Sequence, residues 1–290
     1  MTNEMSIVLK NLTIKSKKTN RILVNDVSLA IPKGSVVGIV GESGSGKSLT
    51  MKSIMGILPN NLSMSKSEFT CHGRPVNSKE SLPISMIFQD PMTSLNPLRT
   101  IGYHLIEISQ RYHGMSKKEA YQSAIQMLEK VGITQAKLRM EQFPFELSGG
   151  MRQRVMIAMA LLSQPEVLIA DEPTTALDVT IQLQILSLIA QLKQEMELSV
   201  VLVSHDFGVI ASMCDYVIVM YQGQVVEEGT VLDIFEHASH PYTQKLLSLA
   251  KFDMSQSQVP ISSQKGELVH LSDTHKLRME GNDETITHVN

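Results

Sequence analysis

Tryptophan is absent from the 290 residues, and aromatic side chains make up only 4% of them. That is too few for a surface that holds single-stranded nucleic acid by stacking on its bases. Only two cysteines occur, Cys71 and Cys214, with no near neighbour of their own kind. They cannot form a CxxC zinc or iron–sulfur set, and a chain that needs no disulfide fits a reducing compartment. Positive charge is not in surplus either: 26 Lys and Arg stand against 29 Asp and Glu, a net charge of −3. This excludes a nucleic-acid binder that works through bulk basic charge. No apolar run approaches the roughly 20 residues needed to cross a bilayer. The first six residues lack the basic and apolar regions of a signal peptide, so the chain is expected to stay in the cytosol.

What is present is an ordinary globular mixture, 42% hydrophobic and 19% charged, enough to bury a core. At roughly 150 residues per domain, the length predicts about two domains. Short β-like runs open the chain, among them Ile7-Val8-Leu9 and Val27-Ser28-Leu29-Ala30-Ile31. After the turn Pro32-Lys33-Gly34, residues 35–40 read as a buried strand rich in β-branched side chains. Residues 49–58 read as a helix ended by Pro59, and 60–83 as a polar hairpin or loop region. From 101 to 162 the pattern turns helical. Ala120, Ala124, Met127, Leu128 and Val131 recur at spacings of three and four and predict one buried face. This stretch contains no strong strand signal and reads as a helical insertion. Alternation then returns, with strands over 167–170, 199–204 and 216–220 and helices over 180–194 and 207–213. Strands alternating with helices predict parallel crossovers and an α/β core. After Leu249 the chain becomes polar and is expected to be a loosely held tail. Five histidines near this end, His237, His240, His270, His275 and His288, are scattered and are expected to be solvated rather than metal-bound.

The strand over 35–40 runs straight into Gly41-Glu42-Ser43-Gly44-Ser45-Gly46-Lys47-Ser48-Leu49. This is the phosphate-binding P-loop pattern in its required setting, a strand before and a helix after. Glycines let backbone N–H groups turn inward around phosphates, and the helix N-terminus adds partial positive charge. Lys47 is placed to reach the β- and γ-phosphates of a nucleotide, and the Ser48 hydroxyl to ligate Mg²⁺. An acidic partner for the metal is available where Val167-Leu168-Ile169-Ala170 ends in Asp171-Glu172. Asp171 would orient the Mg²⁺ shell, and Glu172 would polarise an attacking water.

Other segments select among P-loop enzymes. Leu147-Ser148-Gly149-Gly150-Met151-Arg152-Gln153-Arg154 resembles the signature motif of ATP-binding cassette (ABC) proteins, and it precedes the acidic strand as in that family. Gln89 matches the family's Q-loop, Ala176-Leu177-Asp178 its D-loop, and His205 its switch histidine. The resemblance implies an α/β P-loop ATPase core with an antiparallel β region and an inserted helical subdomain at about 90–162. The ATPase domain would span 1–250 and the tail 251–290. It further implies a head-to-tail dimer in which Ser148, Gly149 and Gly150 of one subunit close on the γ-phosphate held by the other. His205 would contact that phosphate and position Glu172. Gln89 would sense Mg²⁺ and link the site to membrane subunits, and Asp178 would pass closure across the dimer. The chain departs from the family in one respect: no aromatic residue precedes Phe69, so the usual upstream platform for adenine is absent.

Phe88-Gln89-Asp90-Pro91-Met92-Thr93-Ser94-Leu95-Asn96-Pro97, the run from Asp171 to Thr180, and His240-Pro241-Tyr242-Thr243 resemble the ATPase subunits of oligopeptide, dipeptide and nickel importers. The implied assembly has two transmembrane permease subunits, a second, paralogous ATPase subunit and an extracellular substrate-binding protein. The chain would lie peripherally on the cytoplasmic face of the cell membrane, and no nucleic acid would be involved. Peptide cargo is the expectation, with nickel or metallophore cargo as the alternative. Peptide-type members often carry a cysteine-bearing tail, whereas no Cys follows His240 here, as in the nickel branch. A soluble cassette ATPase acting on DNA or ribosomes is opposed by the lack of a long heptad insertion between Gln89 and Ser148. A small-molecule kinase is opposed by the signature motif and His205.

Overall fold

The computed structural model describes residues 4–76, 82–90, 94–175, 177–250 and 266–279. Pro91–Thr93 of the Q-loop segment and Ala176 of the D-loop lie outside them. The chain divides into two compact units, residues 1–78 with 202–290 and residues 79–201.

In the first unit, β1 (Met5–Ser16) pairs antiparallel with β2 (Ile22–Pro32), placing Leu9 opposite Leu29 and Leu12 opposite Val27. Its other edge takes β4 (Leu62–Ser65) and β5 (Glu68–Cys71), and β6 (Arg74–Pro75) completes the sheet. Ile7, Leu12, Ile14, Val24, Val27 and Ile31 are fully buried. The alternation visible in the sequence is therefore the inward face of this sheet. A second set of strands runs β12 (Leu268–His270), β13 (Lys276–Arg278), β11 (Gln224–Thr230), β10 (Tyr216–Tyr221) and β3 (Val36–Val40). β3 is parallel to β10 and buried at all five positions, as a strand covered on both faces must be. Helix α7 (Phe207–Met213) packs on β3 at Gly38, where a Cβ would lie 2.8 Å from the Cys214 Sγ and 2.9 Å from the Ile210 Cδ1. Burial, with Asp215 adding to it, pushes the Cys214 thiol up to about 12, so it serves packing rather than thiolate chemistry.

Within the polar stretch after Leu249, the described residues 266–279 form β12 and β13, anchored by paired polar groups. Thr274 donates to Asp233 of α8 (Val231–His237) at 2.8 Å, Lys276 pairs with Glu228 at 2.5 Å, and the Arg278 Nε donates to the Val225 carbonyl at 2.7 Å. His288 lies outside the described residues, and of the other four histidines two are buried, contrary to the expectation of solvation: His240 is fully buried and His275 is 5% exposed. Both belong to a hydrogen-bonded cluster around Glu227, which composition alone does not reveal.

In the second unit, β7 (Ile84–Ile87) and β8 (Val167–Asp171) are parallel, with Ile87 opposite Ala170. Helices fill the stretch between them as expected: α2 (Ile101–His113), α3 (Lys117–Lys130), α4 (Ala136–Met140) and α5 (Gly149–Leu162). Ser116 starts α3 with a capping box: its hydroxyl accepts from the Glu119 N–H, and the Glu119 carboxylate accepts from the Ser116 N–H at 2.9 Å. Those bonds hold the Glu119 carboxyl below its ordinary range. Ala120, Ala124, Leu128 and Val131 are buried as their spacing predicts, with Ile125 completing the face in place of Met127. Arg154 of α5 donates to the Val131 carbonyl at 2.6 Å and closes α3 onto α5. After β8 comes α6 (Val179–Glu195), and the two units divide within β9 (Ser199–Ser204). Among the described residues no helix is long and apolar enough to cross a membrane.

Candidate nucleotide site

The phosphate loop leaves β3 at Gly41 and enters α1 (Lys47–Ile54) after Gly46. Gly41 has φ +152° and Gly46 +100°, values that L side chains rarely adopt. A Cβ at Gly41 would run into the Met220 carbonyl oxygen and lie 2.8 Å from the Ser45 Oγ. Glycine is therefore required here by space as well as by dihedral. We expect Gly41→Ala to lower stability by on the order of 2–3 kcal/mol, in the range of strained or overpacked sites, as read by thermal unfolding. Gly46, at the N-cap of α1, offers no side chain to its N–H groups, and a helix N-terminus favours anions.

Lys47 is 5% exposed and its ammonium lies inside its own loop. It donates to the Gly41 carbonyl at 2.7 Å and the Glu42 carbonyl at 2.9 Å, with the Ser45 Oγ at 3.4 Å. Ser48 and Leu49, next in α1, are half-buried, whereas Glu42, Ser43 and Gly44 form the exposed crest of the loop. The Glu42 N–H donates to the hydroxyl of Tyr242 in α9 (Pro241–Ala250) at 2.8 Å. Also in this unit is His205, exposed just beyond β9 and next to Asp206, which caps α7 by accepting from the Gly208 N–H at 2.8 Å.

The acidic pair ends β8 in the second unit. Asp171 is 4% exposed. Glu172 adopts φ +48°, an uncommon conformation outside glycine that marks a constrained position. Its Oε2 accepts from the Gln89 Nε2 at 3.0 Å and from the Thr175 hydroxyl at 2.9 Å. The structure thus brings together two of the predicted residues, Gln89 and Glu172, which are 83 positions apart. Nothing in the sequence pattern marks Thr175 as functional. Its place three residues after Glu172 offered only a weak turn signal.

Ser148 caps α5 by accepting from the Met151 N–H at 3.3 Å, and Gly149 and Gly150 form the first turn. A Cβ at Gly150 would lie 2.8 Å from the Ile181 Cγ2, and one at Gly149 3.5 Å from the Leu177 Cδ2. These glycines therefore also let α5 approach α6 closely. Asp178 caps α6 with Oδ1 accepting from the Ile181 N–H at 3.0 Å, so the signature and D-loop segments are neighbours.

Residues 24–175, more than half of the chain, match the family described as ABC transporter. The oligopeptide transport ATP-binding protein OppD of Haemophilus influenzae is 44% identical over 274 residues, covering 91% of this chain and 85% of that protein. The dipeptide transport ATP-binding protein DppD of the same organism is 44% identical over 252 residues, covering 84% of this chain and 76% of its own. Among solved structures, the dimeric bacterial ABC transporter cassette MJ0796 superposes with a TM-score of 0.66 at 30% identity, over 78% of this chain and 98% of that one. The glycine-built phosphate loop, the strand ending in paired carboxylates and these matches agree: the chain belongs to the ABC transporter family, as one of its ATP-hydrolysing subunits.

Proposed function

We propose that this chain binds MgATP on its phosphate loop and hydrolyses it to drive uptake of oligopeptides or dipeptides through a membrane permease. The observation that carries the reading is the loop itself. A buried Lys47 is held by two carbonyls of its own turn, at the head of the helix that follows the glycine-rich loop. An arriving phosphate offers the ammonium a charged acceptor beside these neutral ones, and charge-assisted bonds are the stronger kind. The cargo follows from similarity to the oligopeptide and dipeptide transport proteins. Residues 1–250 would form the ATPase domain, with helical subdomain at about 90–162.

Mg²⁺ is a hard cation that takes oxygen donors, and the Ser48 hydroxyl, the Gln89 side-chain carbonyl and the Asp171 carboxylate are the groups that would hold it. It would supply neutralisation of charge on the phosphates. Glu172 orients and polarises the attacking water from its carboxylate, which Gln89 and Thr175 hold in place. His205 contacts the γ-phosphate. Ser148, Gly149 and Gly150 serve a second subunit's nucleotide, and Asp178, capping the adjacent helix, links that contact to the dimer. Catalysis then rests on positioning and charge stabilisation. Two permease subunits, a paralogous ATPase and an external binding protein complete the assembly, with this chain peripheral on its cytoplasmic side.

Uptake tests the cargo. Deleting the gene is expected to abolish import of labelled di- and oligopeptides and to leave nickel import intact. Loss of nickel uptake alone would overturn the peptide reading in favour of a metal importer.

A further inference from the structure

The Gly41–Glu42 peptide is gripped from both edges. Its N–H donates to the Tyr242 hydroxyl at 2.8 Å, and its carbonyl accepts from the Lys47 ammonium at 2.7 Å. In a trans peptide these two groups point in opposite directions within one rigid plane. Rotating the plane would therefore break both bonds together. The restraint is needed at this point because Gly41, at φ +152°, has no side chain to limit such a rotation.

We propose that Tyr242 is a positioning residue for the phosphate loop: its hydroxyl fixes the Gly41–Glu42 peptide and, through it, the place of the Lys47 ammonium. The inference rests on the loop being the phosphate site.

Tyr242 is itself built in. It is fully buried, and its ring lies 4.2 Å from that of Tyr221, tilted by 34°. Burial, chiefly, pushes the phenol up to about 12, so it stays a neutral hydroxyl at physiological pH. Its backbone N–H donates to the His240 Nδ1 at 3.0 Å. The His240 N–H in turn donates to Glu227 at 3.2 Å, and the Ser239 N–H to the same carboxylate at 2.7 Å. Glu227, fully buried, also meets the His275 Nε2 at 2.8 Å, from the turn that leads into β13. A buried carboxylate with three such partners is a rigid anchor, because losing any of them in the interior is costly. The start of α9 is thus fixed from below, and the hydroxyl above it reaches a loop 200 residues away in sequence.

Tyr242→Phe removes one oxygen and leaves the ring. In the full chain assembled with its permease, KM for MgATP is expected to rise about fivefold, the size of one lost hydrogen bond, with kcat within about twofold. Hydrogen exchange at the Glu42 amide should accelerate in parallel. A packing role alone would lower the melting temperature and leave KM and that amide unchanged, and this result would overturn the proposal. If the Phe variant does not fold, 3-fluorotyrosine at 242 keeps shape and hydroxyl while weakening the oxygen as an acceptor. It should shift KM in the same direction, and an unchanged KM would overturn the proposal equally. Lys47→Ala separates the two layers. If it retains ATP affinity, the loop reading falls and this inference with it. If it loses affinity while Tyr242→Phe keeps its KM, only the positioning role falls.

Discussion

Glu172→Gln is expected to bind ATP with near-normal affinity and to hydrolyse it about 10²–10⁴-fold more slowly, the usual contribution of a positioned general base. The geometry makes this substitution clean. Glu172 Oε2 accepts from Gln89 and Thr175, and the amide oxygen of glutamine can accept from both in its place. Only the negative charge and basicity vanish. Because hydrolysis would reset the closed dimer, the variant should also accumulate as an ATP-bound dimer. Single-turnover kinetics with radiolabelled ATP and size-exclusion chromatography read the two effects. Near-normal turnover would remove Glu172 from its proposed role.

Lys47→Ala should act earlier, at binding. The buried ammonium is the only side-chain donor bonded to the Gly41 and Glu42 carbonyls among the described contacts. Removing it takes away charged hydrogen bonds to the β- and γ-phosphates, worth about 1.5–3 kcal/mol each, and leaves the loop carbonyls without that partner. ATP affinity should fall by at least about 100-fold, the loss of two such bonds, as measured by titration calorimetry. Undiminished affinity would show that the phosphates are held elsewhere.

Much of this was legible in the amino-acid order because the determinants are local. Residues 199–204 and 207–213 read as strand and helix from β-branched runs and apolar spacing, and both elements have those bounds in the structure. The glycines at 41 and 46 announced backbone conformations that only their residue type adopts readily. The helical stretch from 101 to 162 showed its buried face at Ala120, Ala124, Leu128 and Val131. Met127 lies at the margin of that face and is only half-buried, because periodicity marks a face but not which side chain at its margin meets a neighbour. The signature glycines read as an anion site; their close approach to Ile181 and Leu177 depends on where another helix lies.

By itself, then, the order of residues determined the phosphate loop, the acidic strand end and the alternating core, since each is a pattern within a few positions. Only the tertiary structure decided that Gln89 holds Glu172, that Tyr242 reaches the Glu42 N–H, and that His240 and His275 are buried around Glu227. These contacts join groups 83, 200, 13 and 48 positions apart. No local propensity encodes such pairs. They exist because a buried polar group must find a partner wherever the packed chain supplies one.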